Sequence, residues 1–92
     1  MYNGWTEPEI LIALCNITDD FKSEGMAIAV KLEDTINELG RAFTNNDIYI
    51  DGFKVLAEAI TEADNMDMYG AGDTLMDIMI ALKEKWNMNT DD

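Results

Sequence analysis

Three features of this 92-residue chain combine residue types and spacings that could do chemistry: carboxylates one helical turn apart, a run of oxygen-bearing side chains, and a glycine-containing stretch. The carboxylates dominate. Asp34 and Glu38, Glu58 and Glu62, and Asp73 and Asp77 are like-charge pairs at i and i+4, and each costs an isolated helix about 0.2–0.5 kcal/mol. Four residues of helical rise set the members of a pair about 6 Å apart, so such rows can occupy a basic groove that otherwise receives a phosphate backbone. Little basic compensation is expected on those faces. The oxygen-bearing run is "DIYIDGFKVLAE", in which Asp47, Asp51, Gly52 and Glu58 take positions 1, 5, 6 and 12 of a calcium loop. Tyr49 and Lys54 spoil that cage, and Asp51 reads instead as the cap of a helix. Asp64, Asp67, Asp73 and Asp77 could collect a weak cation, but their spacing matches no defined loop. No metal site is expected.

The glycine stretch is "YGAGDTL", residues 69 to 75. As a phosphate cradle it lacks the third glycine and the preceding strand of a dinucleotide loop, and the Gly-Lys-Ser/Thr of a nucleotide loop. Asp73 would also repel an anion at the helix start. Extended to "GAGDTLMDIMIALKEKW", it resembles the Gly-Ala-Asp-Ser-Leu stretch of acyl carrier proteins and the recognition helix that follows, in a family that is likewise small, helical and acidic. The resemblance implies a phosphopantetheine attachment point at Thr74, where the family has serine. Gly72 interrupts the motif, Lys83 and Lys85 stand where the family is acidic, and residues 75–92 cannot supply the family's two further helices. The carrier reading is set aside, and no cofactor is expected.

Composition narrows the function further. Nineteen acidic residues against six basic ones give a formal charge of −13, which makes direct binding to nucleic acid or an anionic membrane unfavourable and points to a basic partner. The absence of histidine and the single cysteine, Cys15, exclude a disulfide framework, a Cys/His zinc site and histidine-dependent nucleophilic catalysis. Neither a secretory leader nor an apolar run of membrane-spanning length is recognised, so a cytoplasmic location is expected. The glycosylation triplet Asn16-Ile17-Thr18 is then accidental.

The elements that must position these residues follow from periodicity. Thr6 and Glu9 form a capping box, Pro8 fits the first turn, and Trp5 can staple onto Ile10. Ile10, Leu14, Ile17 and Phe21 make the core stripe of a first helix, with Leu11 and Cys15 widening it and Ile12 opposite. Ser23 is expected to cap a second helix bearing Gly25, Ala29, Leu32, Ile36, Leu39 and Phe43 and closed by Gly40. An irregular crossing with buried Ile48 and Ile50 leads to a third helix capped by Asp51, with Phe53, Leu56, Ala57, Ile60 and Ala63 inward. Gly70 and Gly72 are expected to turn the chain, and Asp73 to cap a fourth helix with Leu75, Ile78, Met79, Leu82 and Trp86 inward. The fold class is therefore all-α, a small four-helix bundle-like domain over residues 1–92, with 1–5 and 87–92 frayed.

An enzyme is not expected, since no nucleophile pair, metal cluster or cofactor loop supports one. The chain reads as an acidic binding protein that occupies a basic surface on a nucleic-acid-binding partner. It resembles in size and charge the small anti-restriction and anti-CRISPR proteins of phages that mimic nucleic acid. The alternative reading uses apolar, methionine-rich surface. Leu11 and Ile12 on the first helix, with Met76 and Ile80 on the fourth, would then contact a homodimer mate or partner helix, the charge serving solubility.

Overall fold

In the computed structural model of the chain, which describes residues 5–88, four helices follow one another: α1 Glu7–Ser23, α2 Ile28–Asn45, α3 Asp51–Asn65 and α4 Tyr69–Lys85. Short links make sequential helices antiparallel neighbours. α2 packs on α1, α3 on α2, and α4 on both α3 and α1, which closes a four-helix ring whose least extensive contact is between α1 and α4. The core is a single apolar cluster that takes Ile10, Leu14, Ile17 and Phe21 from α1, Leu32 and Leu39 from α2, Leu56 and Ala59 from α3, and Leu75, Ile78 and Leu82 from α4. Trp86 closes one end of the bundle. Its ring meets Phe53 edge-on at 5.9 Å and Phe43 at 6.3 Å between centroids, the offset geometry that aromatic quadrupoles favour.

α1 starts as its sequence dictates. The Glu9 amide donates to Thr6 Oγ1 at 3.3 Å, and the Thr6 amide donates to Glu9 Oε1 at 2.9 Å, so two otherwise orphaned donors are satisfied reciprocally. Trp5 packs against the core cluster. Cys15, expected beside the stripe, is exposed instead.

All four helices end in one way. The residue past the last turn is left-handed, at Gly25, Asn46, Asp67 and Asn87, and the next amide donates back to a carbonyl five residues earlier. These bonds run from Met26 to Phe21 at 3.0 Å, Asp47 to Ala42 at 2.8 Å, Met68 to Ala63 at 2.7 Å and Met88 to Lys83 at 2.8 Å. This is the Schellman closure, in which an apolar residue after the left-handed position often packs back on the helix. Met26 and Met68 take that position and pack against the core. Those two methionines therefore serve helix termination.

These closures correct several expectations. Ser23 does not cap α2. It ends α1, where its hydroxyl donates to the Asp20 carbonyl at 2.9 Å, because Gly25, with φ +71°, takes the turn that only glycine adopts without strain. Gly40 does not close α2, which runs on to Asn45 because Asn46 supplies the left-handed residue. Asp51 is the first residue of α3 and not its cap. The capping position is Ile50, which is itself helical and makes no side-chain bond. Ala57 is exposed, and Ala59 is buried instead, beside Ala63, which is inward as expected. Gly70 and Gly72 lie inside α4, which begins at Tyr69, so Asp73 caps nothing. The turn expected at the glycines is made instead by Met66, Asp67 and Met68. Ile48 and Ile50 are exposed, and Tyr49 between them turns inward against the core cluster.

Of the ends expected to fray, residues 1–4 and 89–92 lie outside the described residues. Asn87 and Met88 are tied into the closure of α4.

Candidate interaction surface

The three carboxylate pairs sit on three helices, and the fold brings two of them to one seam. Glu58 and Glu62 on α3 lie at one end of the α2/α3 seam, and Asp34 and Glu38 on α2 lie towards its other end, by Tyr49, whereas Asp73 and Asp77 are on α4, the helix that packs against α3 and α1. At one end of the seam the groove has a volume of about 480 Å³ and is lined by Ala27, Ile28 and Lys31 on one side and Ala57, Glu58, Thr61 and Glu62 on the other. Lys31 Nζ crosses it to Glu58 Oε1 at 3.1 Å. The Glu62 carboxylate has no ion-pair or hydrogen-bond partner among the described residues.

At the other end of the seam stands Tyr49. Its ring lies so close to Gly52 that a Cβ there would meet ring carbon Cδ2 at 2.9 Å. Its hydroxyl shares a hydrogen bond with Thr35, whose side chain is buried. Burial pushes the Tyr49 phenol above its usual pKa, and the charges of Glu38, Asp51 and Asp34 push it the same way. All three charges come from α2 or the start of α3. Glu38 also accepts from Arg41 Nη1 at 3.4 Å, one turn along α2.

The expectation of little basic compensation is corrected on these faces, because Lys31 reaches across from the neighbouring helix and Arg41 lies three residues after Glu38. Two further pairs stitch helices together. Lys22 pairs with Glu33 between α1 and α2, and that hydrogen bond holds the Lys22 pKa above its usual value. Lys85 reaches Glu7 at 2.6 Å across the α1/α4 seam, with its ammonium 5.6 Å from the Phe43 ring centroid. Four of the six basic residues are therefore committed within the protein. Each exposed pair is worth about 0–1 kcal/mol, so their main consequence is that few cations remain to neutralise the carboxylates that face outward.

The calcium-loop pattern does not form a loop, since Asp51, Gly52 and Glu58 all lie within α3. No group of three or more metal-ligating acids or cysteines converges among the described residues. Thr74 is half-buried, more than a turn inside α4. Among the described residues no helix is long and apolar enough to cross a membrane.

The apolar candidates divide. Ile12 is 61% exposed and Met76 50%, while Leu11 packs against the core and Ile80 is half-buried. Met79 fills the core margin. Reading the sequence missed Val30 and Tyr69 as exposed apolar residues, together with Ile48 and Ile50. Val30 falls outside the inward stripe of α2 and was detectable from its helical angle; the exposure of the two isoleucines follows from Tyr49 taking the inward place between them.

Set against known proteins, the sequence matches no family model, and no similar curated protein or solved structure was found.

Proposed function

We propose that this chain is a non-enzymatic acidic binding protein that occupies a basic surface of a partner, most concretely as a phage-type mimic of nucleic acid that inhibits a nucleic-acid-handling protein. One observation carries the reading: carboxylate pairs from adjacent helices lie at the two ends of a single seam in a chain of net charge −13. Carboxylate pairs at helical spacing, Glu58 and Glu62 at one end of the seam and Asp34 and Glu38 at the other, space negative charge along it, as a phosphate backbone does for the surface that accepts it. The like-charge pairs cost helix stability, and a binding role accounts for that cost.

The test is capture of partners from a host lysate on the immobilised protein, followed by elution with rising salt. Basic nucleic-acid enzymes should elute steeply as salt screens the contact, and the Glu58→Lys/Glu62→Lys variant should retain them poorly. Retention that is insensitive to both salt and charge reversal would overturn the reading.

A second reading is favoured by the exposure of Ile12 and Met76, which would bury apolar area in a homodimer or against a partner helix. Sedimentation separates the two. A dimer abolished by Met76→Glu or Ile80→Glu supports this alternative, and a monomer at all concentrations removes its homodimer form.

A further inference from the structure

We infer that the groove between α2 and α3 receives an arginine-bearing segment of the basic partner. This deepens the proposed function and rests on it. The groove combines what an arginine requires. Its walls include Ala27, Ile28 and Ala57, apolar surface along which a methylene stem can lie, and its rim carries Glu58 and Glu62 one turn apart on α3. Long cationic side chains bury their stems and keep their heads at such a rim. A volume of about 480 Å³ falls within the ~300–1,000 Å³ typical of ligand clefts and exceeds what one side chain fills, so it accommodates a segment of chain.

The protein already fills part of the site itself. Lys31 places its ammonium on Glu58 with both side chains more than half exposed, which shows that a cationic head is accepted at this rim. The pair leaves Glu62 unused. An incoming guanidinium, planar and with five donors, can bond both carboxylates in fork geometry, whereas the lysine serves one as a point charge. Arginine is therefore preferred over lysine, and Lys31 is its intramolecular competitor.

The probe is an alanine-based helical peptide of about 15 residues carrying three arginines spaced one turn apart, with lysine and glutamine versions, added to the full-length chain at low salt. Amide resonances are followed by NMR. Shifts should concentrate at residues 27–31 and 57–62, and the arginine peptide should bind more tightly than the lysine one. Glu58→Gln/Glu62→Gln should weaken binding about tenfold, the loss of about 1.4 kcal/mol, while Asp73→Asn/Asp77→Asn, which removes the same charge from α4, should weaken it far less. Lys31→Ala should tighten binding more than Lys54→Ala, which deletes a lysine of α3 outside the groove. Thermal melting shows that each variant is folded. Equal effects of the two double variants, or shifts spread evenly over all four helices, would overturn the groove while leaving a basic partner in place. Absence of any binding at low salt would overturn both.

Discussion

α3 makes two seams of opposite construction. Towards α4 it offers Ala59 and Ala63, both fully buried, against the buried Gly72, and a Cβ built on Gly72 would lie 3.9 Å from the Ala63 Cβ. Small residues let those two helices close on each other. Towards α2 it offers Glu58, Thr61 and Glu62 around an open groove crossed by one exposed ion pair. The first seam excludes water and holds the fold; the second keeps water and charge at the surface. One short helix thus carries a close-packed apolar face and an open charged one, and substitutions on its two sides should have unlike consequences.

The largest effect should come from overfilling the closed seam. Ala63→Leu should destabilise the protein by about 1–3 kcal/mol, as inserted methylenes do in packed cores, whereas Ala57→Leu at the open groove should cost less than about 0.5 kcal/mol and instead block peptide binding. Chemical denaturation of the two variants, with peptide titration of the second, checks both halves.

The glycines sharpen the contrast. Gly52→Ala would drive a methyl into the Tyr49 ring and should cost about 1 kcal/mol or more. Gly72→Ala meets only ordinary van der Waals neighbours and should stabilise by about 0.5–1 kcal/mol through helix propensity. Opposite signs in urea midpoints are the expected result; equal signs would mean that the packing around one of the two glycines is misassigned. Replacing left-handed Asn46 or Asn87 by glycine should give a smaller gain, about 0.5 kcal/mol.

A pH effect is tied to the groove seam. Because the folded Tyr49 phenol is raised above its ordinary value, the folded state holds its proton after the unfolded chain has released it. Its contribution is therefore intact below about pH 10 and is lost as pH rises above that value. Lys22 and Tyr69 are raised as well, Lys22 by its hydrogen bond to Glu33 and Tyr69 by that to Asp67, and they act in the same alkaline range. Tyr49→Phe should flatten the fall in stability between pH 9 and 11 without abolishing it, as read from thermal midpoints.

Periodicity made the helices and most of the core legible. Ile10, Leu14, Ile17, Phe21, Leu32, Leu39, Leu56, Leu75, Ile78 and Leu82 follow helical spacing and are buried as read. Boundaries were less legible wherever a strong local signal competed with a weak one. Ser23 and Asp51 are good caps by type, yet the left-handed closures at Gly25 and Asn46 fix where the chain turns, and no single residue type announces a closure made by Asn or Asp. The glycines of "YGAGDTL" read as a turn because glycine usually breaks helices, but both lie inside α4, where a Cβ on Gly72 would still meet only ordinary van der Waals neighbours. On the candidate surface the carboxylate rows were visible from i, i+4 spacing alone. Their assembly on α2 and α3, and the Lys31–Glu58 pair joining residues 27 apart, are products of tertiary packing and leave no trace in local sequence.

We propose that the acidic α2/α3 seam takes the place of nucleic acid on a basic partner. The most direct measurement is displacement of labelled duplex DNA from a captured nucleic-acid-binding partner as the protein is added. Wild-type protein should release the DNA, and Glu58→Gln/Glu62→Gln should require about tenfold more protein for the same release. DNA that stays bound while the protein itself binds the partner, or equal displacement by wild type and the double variant, would contradict the account.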